Sequence, residues 1–276
     1  MFDSPADVSA RLAAASYLSD DSIATSVYLA AALGKPLLAE GPAGVGKTQL
    51  AKAVAEATGA TLIRLQCYEG LDEARALYEW NYKKQLLRIQ ATSTDEDIFG
   101  EEFLLERPLL KAIRASGPTV LLIDEMDKAD VEVEGLLLEL LSDFQVTIPE
   151  LGTIAAVRRP YVVLTSNATR ELSEALKRRC LYLHIAYPTP ERERDIVLSQ
   201  VPSIRADLAE QLARTVATLR ALELKKAPSV AETVDWARTL LALGREELDE
   251  ETVSATLGVV LKHNSDHVRA VKELGL

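Results

Sequence analysis

Five short apolar runs recur along the first two thirds of the chain: KPLLAE at 35–40, TLIRLQC at 61–67, TVLLIDE at 119–125, YVVLTSN at 161–167 and LYLHIAY at 181–187. Longer stretches with apolar residues three and four apart separate them. Continuous apolar runs of this length read as strands buried on both faces, and helical patterns between them are the connections that a parallel sheet requires. The pattern predicts an α/β fold, a doubly wound five-stranded parallel sheet, over residues 1–190. Past Pro188 and Pro190 only helical periodicity remains, with helices expected at about 191–200, 207–222, 230–243 and 250–263. Proline stops a strand and is tolerated in the first turn of a helix. YPTPERER therefore marks the start of a small C-terminal α-helical domain, 191–276.

Two segments interrupt the alternation. The first, about 70–116, carries Tyr78, Trp80 and Tyr82 and an acidic run from Asp95 to Asp97. Its aromatic residues are expected to pack the insert itself, because no basic groove accompanies them as a base-stacking platform would need. The second, FQVTIPELGTIAAV at about 144–157, alternates on either side of PELG and predicts a β-hairpin with Pro149 and Gly152 in the turn region. Insertions between core elements are where function concentrates.

The first apolar run leads into GPAGVGKTQ, which matches the phosphate-binding pattern GxxxxGK[ST] between a strand and a helix. Successive backbone N–H groups in such a loop converge on phosphate oxygens, and glycine lets the backbone approach closely. The expected nucleotide-binding residues are Gly41, Pro42, Ala43, Gly44, Val45, Gly46, Lys47, Thr48 and Gln49. Lys47 would reach the β- and γ-phosphates and Thr48 would offer its hydroxyl to Mg2+. VLLIDE ends in two adjacent carboxylates that alternation sends in different directions. Asp124 is assigned to the Mg2+ shell, through water, and Glu125 as the general base toward an attacking water. Asn167 closes another buried strand at the carboxyl edge, where ligands of parallel sheets bind, and is expected beside Glu125, holding the water or the γ-phosphate.

Composition narrows the partners. The chain has 276 residues, 42 acids against 31 bases and a formal net charge of -11, so its average surface repels nucleic acid, which is an unlikely partner. No apolar run reaches the roughly 18 residues of a membrane span, and MFDSPADVSA lacks the features of a signal or transit peptide. The expected location is cytoplasmic. Cys67 and Cys180 lack CxxC spacing and read as plain buried thiols. His263 and His267, in HNSDH, stand one helical turn apart without an identifiable third ligand, and read as an exposed helix end.

The P-loop, the Asp-Glu strand end, the strand-ending Asn and the helical domain together resemble the AAA+ ATPases. The hairpin and the excursion after Cys67 resemble the helix-two-insert group, and the whole chain resembles the MoxR family. RLQCYEGLD, YEWNY, LKRRCLYLHIAYPT and ERER are most similar to the branch that accompanies molybdenum carbon monoxide dehydrogenase. The resemblance implies MgATP hydrolysis in a homo-oligomeric, commonly hexameric, ring. It also implies a von Willebrand factor A domain partner and a chaperone-like role in maturing a client metalloenzyme. EALKRRC gains a meaning in this frame: Arg179, with Arg178 as the adjacent alternative, corresponds to the arginine that enters a neighbouring subunit's site and opposes the γ-phosphate charge. Many such helical domains also carry a nucleotide-sensing arginine; here Val230 stands at that place, and Arg238 lies two turns further on. A motor or switch acting on nucleic acid or in regulation is the alternative reading.

Overall fold

The computed structural model describes residues 1–91 and 98–274, so the acidic run Asp95–Asp97 lies outside the described residues. Nine strands occur among them: β1 Leu37–Glu40, β2 Thr61–Gln66, β3 Tyr78–Trp80, β4 Leu104–Glu106, β5 Thr119–Asp124, β6 Gln145–Ile148, β7 Gly152–Ala155, β8 Tyr161–Ser166 and β9 Leu181–His184. Five form one parallel sheet in the order β2-β5-β8-β1-β9. These are the five apolar runs expected to build it. Every residue of β5 and β8 is buried, which is why their sequences show no alternation.

The chain divides into two compact units: Met1–Ala15, Ser19–Glu40 and Thr48–His184 form one, and Ser16–Leu18, Gly41–Lys47 and Ile185–Leu276 the other. In the first, sheet residues such as Leu65, Leu121, Ile123 and Leu164 share a core with Leu109, Ile113, Leu137 and Leu140 from helices. Helix Asp21–Leu33 shows why these elements start and stop where they do. Asp20 accepts the Ile23 N–H at 2.8 Å, and Gly34, at φ 60°, ends the helix in the left-handed conformation.

The interrupting segments are both built on antiparallel pairs. β6 and β7 form the expected hairpin around Pro149–Leu151, with Gly152 at φ 77°. In the earlier insert β3 pairs with β4, and buried Trp80 meets Tyr78 and Phe99 edge-on. Tyr82 departs from the expected cluster. It begins helix Tyr82–Ala91 on an exposed face.

The second unit contains helices Pro190–Gln200, Ala206–Ala221, Val230–Ala242, Glu250–Thr256 and Asn264–Leu274. Leu208, Leu212, Val216, Trp236, Leu240 and Leu257 supply its core. Buried Glu193 receives both terminal nitrogens of Arg220, at 2.5 and 2.8 Å, and the Thr233 hydroxyl at 2.6 Å. The expected helix over 250–263 stops early, at Thr256. The Thr256 hydroxyl accepts from Trp236 Nε1 at 2.7 Å, a 3-10 turn follows at Leu257–Val259, and a further helix begins at Asn264. HNSDH is thus a helix start rather than an end, with His263 exposed and a His267 ring nitrogen 2.9 Å from the Leu261 carbonyl oxygen.

Candidate nucleotide-binding site

β1 delivers the chain to the P-loop. Gly41, Gly44 and Gly46 adopt φ of 152°, 73° and 100°, a region that residues with a Cβ rarely enter. Space is as restrictive as conformation. A Cβ on Gly41 would lie 2.0 Å from the Ile185 carbonyl oxygen, and one on Gly44 would lie 2.3 Å from Ser229 Cβ. Two of the loop glycines therefore answer to packing within their own unit. Lys47 is buried and donates to the Gly41 and Pro42 carbonyls at 2.6 and 2.7 Å, closing the loop on itself.

Thr48 follows in helix Lys47–Thr58 and donates its hydroxyl to Asp124 Oδ1 at 2.9 Å. Seventy-six positions separate the two residues in sequence. Asp124 ends the fully buried β5 and is itself only 1% exposed. Its Oδ1 also accepts the Thr165 hydroxyl at 2.5 Å, while Oδ2 accepts from Arg64 Nη2 at 2.6 Å. Hydroxyl and carboxylate oxygens are the donors that Mg2+ prefers, and this ion usually keeps several waters and phosphate oxygens rather than an all-protein cage. The paired Thr48 and Asp124 oxygens fit that requirement. Among the described residues no group of three or more His, Cys, Asp or Glu side chains is arranged to hold a metal ion.

Glu125 leaves the strand at φ 57° and ψ 50°, left-handed values that cost a non-glycine residue of order 1–3 kcal/mol. Its N–H donates to Thr165 Oγ1 at 2.9 Å, so one hydroxyl on β8 ties together both members of the Asp-Glu pair. Its carboxylate pairs with Lys128 at 2.5 Å. That bond and the Glu125 charge push the Lys128 ammonium above its ordinary pKa.

Asn167 immediately follows β8, and its N–H donates to Asp127 Oδ1 at 3.0 Å. The other Asp127 oxygen receives the Thr169 N–H at 3.3 Å and a short bond from the Thr169 hydroxyl. Burial alone would raise the Asp127 pKa. The bonds from the Thr169 hydroxyl and from the Asn167 and Thr169 N–H groups outweigh it and hold the carboxyl below its usual range. Ala168, between the two donors, stands at φ 58°.

Arg179 follows the short helix Glu174–Lys177. Its Nε donates to Ser142 Oγ at 2.5 Å and its Nη1 to the Ala175 carbonyl at 2.9 Å. Arg178 is exposed, and its guanidinium has no partner among the described residues. In the second unit Val230 is the buried first residue of its helix, after a capping box formed by Ser229 and Glu232, and Arg238 pairs with Asp235 at 3.1 Å. Burial pushes both thiols up to about 12; nearby carboxylates add to the effect at Cys67, while Arg179 and Lys35 oppose it at Cys180. Cys67 is fully buried, whereas Cys180 is only half-buried.

No motif in the sequence marks Arg64, Thr165, Asp127 or Lys128. Thr165 and Ser166 are the two hydroxyl residues that close the apolar run YVVLTS, and Asp127 follows the Asp-Glu pair by two positions. Each stands out from an apolar or turn pattern, but its partners are distant in sequence: Asp124 on β5 for Thr165, and Asn167 and Thr169 just after β8 for Asp127.

A P-loop after the first strand of a five-stranded parallel sheet, with an acidic pair closing the neighbour of β8, defines a P-loop nucleotide-binding fold of the AAA+ class. The profile of the AAA domain (dynein-related subfamily) matches residues 36–180, and the chain belongs to that family. It is 27% identical over 237 residues to an uncharacterized protein of Staphylococcus haemolyticus, covering 82% of each chain. It is 26% identical over 223 residues to an uncharacterized protein of Staphylococcus aureus, covering 76% of this chain and 77% of the relative. Among solved structures, two RuvB mutants of Thermotoga maritima share the fold, each with a TM-score of 0.52. One, at 17% identity, is covered over 71% of its length by 94% of this chain; the other, at 18%, over 69% by 92%.

Proposed function

We propose that the protein is a MgATP-hydrolysing remodelling factor of the MoxR type. The observation that carries this reading is the 2.9 Å bond between Thr48 and Asp124, which puts the P-loop hydroxyl on the strand-end carboxylate. Thr48 and Asp124, the latter through water, would hold Mg2+, which would supply positive charge against the phosphates. Lys47 leaves its two carbonyl partners for the phosphates. Glu125 accepts a proton from the attacking water, and Asn167 orients that water or the γ-phosphate. The expected nucleotide is ATP, and residues 1–190 and 191–276 act as nucleotide-binding domain and lid.

Arg179 completes the site of an adjacent subunit in a homo-oligomeric ring, expected to be hexameric, with Arg178 as the alternative. Its exchangeable contacts with Ser142 and Ala175 are compatible with release toward a neighbour. No other nucleophile or cofactor motif competes in the sequence, so hydrolysis serves as a source of motion. In keeping with the MoxR resemblance, the partner is a von Willebrand factor A domain protein. The client is a metalloenzyme such as a molybdenum hydroxylase, in the cytoplasm.

The test is Mg2+-dependent ATP hydrolysis per subunit across a wide range of protein concentration, with Arg179→Ala in parallel. Specific activity that rises with concentration in the wild type and stays near zero in the variant supports a shared site. Concentration-independent hydrolysis that survives the substitution rejects the ring and the finger together.

A further inference from the structure

Asp124 presents an electrostatic problem that the metal alone does not solve. A carboxylate 1% exposed is costly unless its charge is balanced. The Thr48 and Thr165 hydroxyls satisfy Oδ1 but bring no charge. The positive charge comes from Arg64 on β2, whose Nη2 lies 2.6 Å from Oδ2. The sheet sets up this meeting: Gln66 is the register partner of Asp124, and Arg64 stands two residues earlier on the same strand. The two members are unequally held. The Arg64 side chain is 47% exposed and the Asp124 side chain 2%. The guanidinium can withdraw into water, whereas the carboxylate stays in place. Gln66 Oε1 accepts from the same Arg64 nitrogen in a short bond, which gives the guanidinium a second ligand beside the carboxylate.

We propose that Arg64 is a built-in counter-cation of the metal site, occupying Asp124 Oδ2 in the metal-free protein and yielding it when Mg2+ arrives with nucleotide. The inference rests on the reading of Asp124 as a metal-shell residue. A guanidinium and a divalent cation at one carboxylate repel each other, so Arg64 raises the Mg2+ concentration that the site requires. It also keeps the empty site from holding a bare buried charge. Arg64 is in this sense a positioning residue that sets metal demand, with no contact to the reacting atoms.

The test uses the full chain and a fluorescent ADP analogue, titrated with Mg2+ at fixed nucleotide, so that binding is read without turnover. Arg64→Gln is expected to lower the half-saturating Mg2+ concentration on the order of 10-fold, the effect that one neighbouring unit charge has on a carboxylate equilibrium. Arg64→Lys, which keeps the charge, should stay near the wild type. In EDTA without nucleotide, Arg64→Gln should melt below the wild type, and Mg2+ with ADP should narrow the gap. An unchanged or raised Mg2+ requirement in Arg64→Gln, beside a wild type that does bind in a Mg2+-dependent way, overturns this inference alone. A wild type without Mg2+-dependent nucleotide binding overturns the proposed function, and this inference with it.

Discussion

Lys128 Nζ lies 2.5 Å from Glu125 Oε2, so the carboxylate proposed as the general base is held by a cation three residues further along its own chain. The pair is partly exposed, and such pairs contribute about 0–1 kcal/mol. Removing the cation should free the base. Lys128→Met is expected to raise basal ATP hydrolysis by up to about 5-fold, since roughly 1.4 kcal/mol corresponds to a factor of ten. The wild-type rate should climb toward the variant's as salt screens the pair. A fall in turnover on removing Lys128 would instead make the lysine a required support for Glu125.

Asp127 holds the start of the loop after β8 by three hydrogen bonds, two of them from the backbone on either side of Ala168. Asp127→Asn keeps the shape but turns one acceptor oxygen into a donor group, at an expected cost of about 1–3 kcal/mol. Because Asn167 is displaced rather than removed, kcat should drop more than nucleotide affinity. The pH dependence has a defined sign. A carboxyl whose folded pKa is lowered contributes stability that is fully present above its unfolded value, about 3.9, and is lost as pH falls through the folded value. The difference in denaturation midpoint between wild type and variant should therefore be flat near neutral pH and shrink below about pH 4. A difference that grows on acidification would contradict the assignment.

β1, β5 and β8 were legible because strands buried on both faces must be apolar, whereas β2 and β9 bury mainly alternate residues and were legible from the apolar residues on that one face. The P-loop and the Asp-Glu pair were legible because their residues are adjacent in sequence. Arg64 and Thr165 were not, because what matters about them is a register: β2 and β8 flank β5, and no local pattern states which strands become neighbours. Lys128 was hidden differently, since a lysine three residues after a glutamate in a turn reads as solvated. The break at Thr256 was missed because the Trp236–Thr256 bond that marks it joins residues 20 apart. Periodicity on either side of such a break can look like one helix.

Gly44 carries two constraints, a φ of 73° and the nearness of Ser229. Gly44→Ala should destabilise the protein by more than about 1 kcal/mol and weaken nucleotide binding. Adding Ser229→Gly should recover only part of the loss, because the space is relieved and the backbone conformation is not. Thermal melting of the two variants, with and without nucleotide, measures both effects.

In the helical unit, Glu193 is 0% exposed and depends on Arg220 for its counter-charge. Arg220→Met leaves that carboxylate uncompensated, which typically costs about 3–5 kcal/mol. Urea denaturation should show a large drop in midpoint, and adding Glu193→Gln should restore much of it. A drop of the same size in the double variant would place the loss in packing against Tyr187, over whose ring the guanidinium lies at 4.4 Å.

The Cys67 thiol sits at the end of the same ladder that carries Asp124. Its N–H donates to the Asp124 carbonyl at 2.9 Å, so the residue extends the β2–β5 pairing by one further rung. Sealed from solvent and with its pKa pushed up to about 12, the sulfur is almost inert while that rung is closed. An alkylating reagent can reach it only when the sheet edge beneath the acidic pair comes apart. The chain thus carries a native clock for the breathing of the sheet beneath its acidic pair, readable without introducing a cysteine.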